Sequence, residues 1–198
     1  MTRTLGLFMV ASTLALGACD DGGEEGGGDP DGGGVETQGA TVSYECVDDG
    51  AACDPPGTYE GTATATELDL CNYWESTQAF QVGFIGPDDS HLLIQIANFT
   101  GAGSYTTSAD AETNVVLHGT GEVPSDADAA GPPEHPCTIT VESNLADLEI
   151  PETGDAELLD VTLEVECPTL IAGGICDVIC TLSPSTFSVS VGGCTVSL

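Results

Sequence analysis

Lysine and arginine are almost missing from this sequence. Its 198 residues contain 33 Asp and Glu but a single basic residue, Arg3, so the formal net charge is −32. Without basic side chains the chain cannot neutralise phosphates, which excludes binding to DNA, RNA or an anionic membrane surface by charge attraction. Phosphate clamps built on Lys or Arg, Schiff-base lysines and arginine fingers are excluded for the same reason.

Helical patterns and the common catalytic motifs are also missing. No run of about ten or more residues has helical spacing. There is no G-x-S-x-G elbow, H-E-x-x-H helix, Walker loop or G-x-G-x-x-G turn after a strand. Hydrophobic residues nevertheless make up 40% of the chain, which is enough to bury one core and excludes a wholly disordered acidic chain. We therefore expect a folded domain that is not an enzyme.

The first 19 residues have the layout of an export signal. They read MTRTLGLFMVASTLALGAC, with Arg3 near the start and a largely apolar run over residues 5–16 that is too short to span a membrane. The run ends in LGAC, and the segment resembles the lipobox of bacterial lipoproteins. This resemblance implies removal of residues 1–18, a diacylglycerol on the Cys19 sulfur and an acyl chain such as palmitate on the new amino terminus.

A tether follows the predicted lipidation site. Residues 20–34 contain eight Gly, six acids and one Pro, and they offer no apolar side chain to a core. Such a segment is flexible and stretched by its own charge, and it reaches about 50 Å when extended. We therefore expect the lipid to be the membrane contact and residues 35–198 to form one β-rich domain. The expected location is the outer membrane, at its periplasmic face or at the cell surface, with the inner membrane less favoured.

Eight cysteines remain besides Cys19. An even number in an exported domain predicts four disulfides. The eight are Cys46, Cys53, Cys71, Cys137, Cys167, Cys176, Cys180 and Cys194. The spacing suggests a local bond between Cys46 and Cys53. Cys176 and Cys180 cannot bond to each other on one extended strand, where they would be about 13 Å apart.

Alternating apolar and polar residues predict a series of short strands. The clearest hairpin pairs residues 137–145 with 159–167, in a register that aligns Ile139 with Val165 and predicts a Cys137–Cys167 disulfide. A second hairpin pairs Phe84 with Leu92 across a Gly-Pro-Asp-Asp turn. Further strands are expected near 40–46, 58–70, 104–108, 114–119, 176–182 and 186–191, with a change of parity at Gly192-Gly193.

Nine or so short strands predict an all-β fold. The expected architecture is a disulfide-stabilised antiparallel β-sandwich, with two sheets packed as in Ig-like or jelly-roll-like domains, and the alternative is a β-barrel.

Acidic loops are the main functional indication in the sequence. Loop oxygens at one end of a sandwich commonly bind Ca²⁺, although such residues can equally be simple surface groups. The candidates are Asp48, Asp49, Asp54, Asp88, Asp89, Asp126 and Asp128. The three histidines, His91, His118 and His135, have no spacing that selects a triad or a zinc site, so no cofactor other than Ca²⁺ is expected.

Three functions remain open. The first is a non-enzymatic envelope lipoprotein with a binding or structural role and a protein or glycan partner. The second is a Ca²⁺-dependent adhesion or carbohydrate-binding module. The third is a hydrolase whose site has no recognisable motif.

Overall fold

The computed structural model describes residues 35–48, 57–108, 112–121, 129–130, 136–147, 158–172 and 178–197. All of them belong to a compact unit formed by Gly33–Leu198. Several predicted features lie outside the described residues. These are the signal segment and tether, Cys53, Cys176, His135, Asp49, Asp54, Asp126 and Asp128.

The described residues form fourteen strands and two single-turn 3-10 helices. The strands are β1 Ala40–Val47, β2 Thr58–Ala65, β3 Glu67–Trp74, β4 Ala79–Ile85, β5 His91–Ile96, β6 Gly103–Thr106, β7 Asn114–His118, β8 Thr120–Gly121, β9 Ala129–Ala130, β10 Thr138–Ser143, β11 Leu158–Glu166, β12 Thr169–Ala172, β13 Val178–Ser183 and β14 Thr186–Ser197. The 3-10 turns are Pro87–Asp89 and Leu145–Asp147.

The strands confirm the all-β, two-sheet expectation. The hydrogen-bonded order runs β6-β10-β11-β14-β3-β4-β5-β7 and then, through the short strand β9, β12-β13-β1-β2-β8. Because β9 pairs with both β7 and β12, it joins the two sheets along one border. One of the sheets curves nearly into a barrel, so the barrel alternative describes a local curvature and not the whole domain.

Both predicted hairpins have the expected register. In β10 and β11, Ile139 is opposite Val165 and Val141 is opposite Leu163. In β4 and β5, Phe84 is opposite Leu92. The parity change in β14 is also present, since the buried odd-numbered positions end at Val191 and are followed by buried Cys194 and Val196. Gly193 has a φ of +82°, which suits a glycine, and its N–H donates to the Asp160 carboxylate at 2.9 Å.

The prediction of a single strand over residues 58–70 is wrong. The chain changes sheets at Thr66, so that β2 pairs with β1 while β3 pairs with β4. The sequence reading also missed the short strands β8, β9 and β12. The antiparallel pattern has one exception among the described strands, because the end of β14 runs parallel to β3.

The main core contains side chains from both sheets. Phe99 is fully buried at its centre, with its ring stacked on Phe80 at 4.8 Å and on Tyr105 at 5.7 Å. The Tyr73 ring meets Phe99 edge-on at 5.6 Å. Aromatic contacts of this kind add to the stabilisation gained from burying their area.

Three disulfides lie among the described residues, and each joins neighbouring strands of a sheet or the residues directly beside their ends. Cys137–Cys167 is bonded as predicted. Cys71 on β3 is bonded to Cys194 on β14. The local Cys46–Cys53 bond is wrong, because β1 pairs with β13 and this pairing sets Cys46 directly opposite Cys180, to which it is bonded.

Candidate binding groove on the outer sheet face

An open groove of about 770 Å³ runs over the outer face of β13, β1 and β2. Alternation along the three strands directs six of its lining side chains away from the core. They form two rows across the strands. The first row is Ser183, Ser43 and Thr62, and the second is Thr181, Glu45 and Glu60. The Ser43 and Thr62 hydroxyls are 3.0 Å apart and hydrogen-bonded.

Tyr44 and Gly61 also border the groove, but they have the inward parity of β1 and β2, and Tyr44 packs against the core. They are cross-strand partners, and a Cβ atom at position 61 would overlap the phenol of Tyr44. The missing side chain at Gly61 therefore makes room for the ring, and a larger residue there would displace it. Burial raises the pKa of Tyr44, so its hydroxyl stays neutral over the whole physiological range.

Two carboxylates face each other in this groove. Glu45 and Glu60 are in register on adjacent strands, and both side chains are exposed. No other strand pairing among the described residues joins two acids. In the β10–β11 hairpin, for comparison, Glu142 is opposite Thr162 and Glu164 is opposite Thr140. Like charges directly opposite each other destabilise a sheet, so this pair has an electrostatic cost that the other exposed acids avoid.

Two exposed apolar side chains lie beside the carboxylate pair. Val47 is 60% exposed and Ile179 is 54% exposed, and they are among the few large apolar side chains on the described surface. The register of β1 and β13 places them beside each other, one row beyond Glu45. An acidic row next to an apolar pair is a suitable surface for a ligand that has both a positive charge and an apolar group.

Four of the seven candidate Ca²⁺ ligands lie outside the described residues. Asp48 is buried, and its N–H donates to the Gly57 carbonyl at 2.9 Å. Asp88 and Asp89 form the 3-10 turn between β4 and β5, where Asp89 is exposed and has a φ of +61°. Within the described ranges no three His, Cys, Asp or Glu side chains come close enough to form a metal-binding group. The Ca²⁺ hypothesis therefore stays a prediction.

Two of the three histidines come together. His91 on β5 is the cross-strand partner of His118 on β7, and their rings are stacked with centroids 4.8 Å apart and planes 5° apart. Both are half-buried on the outer face. This contact could not be predicted from the sequence, because it depends on the pairing of β5 with β7, which are separated by β6 along the chain.

The adjacent pair Tyr73-Trp74 divides between the two sides of its sheet. Tyr73 is in the core, while Trp74 is half-buried on the other face. Alternation along β3 directs these adjacent side chains to opposite sides, so Tyr73 takes the inward-facing position and Trp74 does not.

Comparisons with protein-family models, with curated proteins and with solved structures give no match. Among the described residues there is also no helix with the length and apolar character needed to span a bilayer. The site must therefore be interpreted from its own geometry and charge.

Proposed function

We propose that this protein is a lipid-anchored, non-enzymatic binding module of the bacterial cell envelope, and that its outer groove holds a basic, partly apolar segment of a partner protein. The observation that carries the proposal is the in-register pair Glu45–Glu60, next to the exposed side chains of Val47 and Ile179. The first property comes from the lipobox resemblance and the second from the groove.

The partner has to supply the positive charge. No Lys or Arg follows Arg3 in the chain, so this domain has no basic side chain with which to neutralise Glu45 and Glu60. A Lys or Arg placed between the two carboxylates replaces one repulsive contact with two attractive ones. The hydroxyls of Ser43 and Thr181 can hydrogen-bond to the backbone of the bound segment, and an apolar residue of the segment can cover Val47 and Ile179.

The lipid and the tether explain how such a groove would be presented. A lipid on Cys19 holds the chain at a membrane, and the acidic residues 20–34 keep the domain away from anionic head groups while allowing a reach of about 50 Å. Electrostatic attraction then favours capture of basic partners from the surrounding space.

The anchor is tested by substitution of the lipidated residue. We expect Cys19→Ser to lose incorporation of labelled palmitate and to move from the membrane fraction to the soluble fraction, whereas the matched variant Asp20→Ser keeps the label. Retention of Cys19→Ser in the membrane fraction would show that the lipid is not the anchor.

The groove is tested with a synthetic peptide of alternating Lys and Val, and with a Glu-Val peptide as its charge control. We expect Glu45→Gln and Glu60→Gln to weaken binding of the Lys-Val peptide several-fold. Glu142→Gln and Glu164→Gln change the net charge by the same amount, but these residues do not line the groove. We therefore expect them to have little effect on binding. Equal weakening by all four variants would mean unspecific charge attraction. Binding that requires Ca²⁺ would instead favour the calcium-dependent adhesion module.

A further inference from the structure

The second chemically distinctive place on the described surface is the histidine pair of β5 and β7. His91 begins β5 and His118 ends β7, so the two side chains are at one border of the sheet. Ile85, which is 39% exposed, is the neighbour of His91 on its other side. Leu93 and Val116 face each other two residues further along the same strands. Two imidazoles therefore lie side by side, with the apolar side chains of Ile85, Leu93 and Val116 next to them on the same face.

The ring separation agrees with shared coordination of one ion. With metal–nitrogen bonds of about 2.0–2.1 Å, and ring nitrogens about 1.1 Å from the ring centre, two imidazoles at adjacent positions of one ion have centroids roughly 4.5–5.2 Å apart. The observed separation of 4.8 Å lies within this range. The rings are stacked, so shared coordination requires each to turn about its side-chain bonds until one nitrogen of each points to a common position.

The ligand type indicates the class of ion. Neutral imidazole nitrogen binds borderline ions such as Zn²⁺, Ni²⁺ and Cu²⁺, whereas Ca²⁺ and Mg²⁺ prefer oxygen. The charge of the domain assists, because 33 acids against one basic residue raise the concentration of cations near its surface. Apolar neighbours such as Ile85 and Leu93 lower the local polarity and strengthen the bonds between nitrogen and metal.

We propose that His91 and His118 together bind one divalent transition-metal ion of the Zn²⁺, Ni²⁺ or Cu²⁺ class, with water in the remaining coordination positions. The site is separate from the groove on β13, β1 and β2, and it does not depend on the function proposed for that groove. The bound ion links the side chains of β5 and β7, and this link is added to the existing strand pairing only when the ion is present.

The test uses the full-length protein without a polyhistidine tag. Ni²⁺ is titrated by calorimetry in excess Ca²⁺ and moderate salt, so that the carboxylates are already occupied. We expect one Ni²⁺ per chain, and we expect His91→Gln and His118→Gln each to lower the affinity at least about tenfold. Loss of a residue that only orients a metal ligand already lowers metal affinity by about that factor. His135→Gln is the matched control and keeps the wild-type affinity.

A second measurement observes metal binding in the unsubstituted protein, and the variants serve only to assign its histidine signals. Substoichiometric Ni²⁺ is paramagnetic and broadens the NMR signals of the imidazoles that bind it. Two of the three histidine signals should broaden first, and the variants assign them to His91 and His118. Absence of Ni²⁺ binding above the Ca²⁺ background, equal affinity of all three variants, or first broadening of the His135 signal would each overturn the proposal.

Discussion

Glu45 on β1 and Glu60 on β2 lie directly opposite each other on the outer face of the same sheet. Their carboxylates repel each other, and the chain has no Lys or Arg after Arg3 that could be placed between them. The excess of acidic over basic residues therefore has a local consequence, an uncompensated pair of carboxylates on the outer face of β1 and β2.

Removal of one charge from this pair should stabilise the domain. We expect Glu60→Gln to raise the free energy of unfolding by about 0.2–1 kcal/mol at low salt, the range for cross-strand charge pairs. The gain should shrink as salt screens the repulsion. Urea unfolding at low and moderate NaCl measures both effects.

The matched control is Glu164→Gln, because Glu164 is exposed but faces Thr140 on one side and Ser188 on the other. Glu164→Gln makes the net charge less negative by the same amount as Glu60→Gln, but it does not remove an opposed acid. Equal stabilisation by the two variants would contradict a local repulsion between Glu45 and Glu60.

The whole domain should respond to salt in the same direction. After Arg3 the chain cannot form a Lys or Arg salt bridge, so screening relieves repulsion without weakening conventional ion pairs. We expect the melting temperature to rise from low to moderate NaCl, and to rise further with Ca²⁺ or Mg²⁺ at equal ionic strength. Scanning calorimetry measures this, and a flat or falling trend would contradict it.

The sequence predicted those parts of the fold that depend on neighbouring segments. The β4–β5 hairpin has a five-residue connection rich in turn formers, Gly86 to Ser90, and its apolar faces match in only one register. The same reasoning placed Cys137 opposite Cys167. It failed for Cys46, whose partner Cys180 is 134 residues away, because nothing in β1 specifies which strand lies beside it.

The candidate sites depend on the same distant pairings. Alternation in residues 41–47 and 58–62 predicts that Glu45 and Glu60 point outward, and this could have been noted from the sequence. That they face each other, and that β13 adds Thr181 to the same row, follows only from the order β13-β1-β2. His91 and His118 meet for a similar reason, since β5 skips β6 to pair with β7.

Tyrosine ionisation should limit stability at high pH. Burial raises the pKa of Tyr44, and burial, then Glu75 and then Tyr105, raise the pKa of Tyr73. Because an unfolded tyrosine ionises near about pH 10, the unfolded chain releases these protons at a lower pH than the folded one. The contribution of these two tyrosines to the free energy of unfolding is therefore fully present below about pH 10. It is lost as the pH rises through their raised pKa values in the folded protein.

Absorbance at 295 nm checks this by comparing tyrosinate formation in native and urea-unfolded protein. Part of the native titration should shift to higher pH, and Tyr73→Phe should reduce the shifted part. Superimposed titrations of native and unfolded protein would contradict the buried, neutral state of the two phenols.

The disulfide pattern predicts one further bond. Three bonds use six of the eight cysteines that follow Cys19, and Cys53 and Cys176 are then each other's remaining candidates within the chain. We expect non-reducing peptide mapping of the exported protein to find Cys53 linked to Cys176 and no free thiol. Detection of a free thiol at either position, or of a link between two chains, would refute this pairing.

The stabilisation from each bond depends on the loop that it closes in the already cross-linked chain. Counted along the chain, Cys71–Cys194 encloses 123 residues and Cys137–Cys167 encloses 30. With Cys46–Cys180 intact, the route from Cys71 to Cys194 through that bond is only about 40 residues long, which makes the two loops nearly equal.

The double variants Cys71→Ala with Cys194→Ala, and Cys137→Ala with Cys167→Ala, should therefore have similar costs. The loop-entropy relation gives about 3–4 kcal/mol for each, with a difference of about 0.3 kcal/mol. If Cys46–Cys180 did not shorten the first loop, the same relation would make its removal about 1 kcal/mol more costly than that of the second. Urea unfolding under non-reducing conditions distinguishes the two outcomes, and paired Cys→Ala changes leave no unpaired thiol to exchange with the remaining bonds.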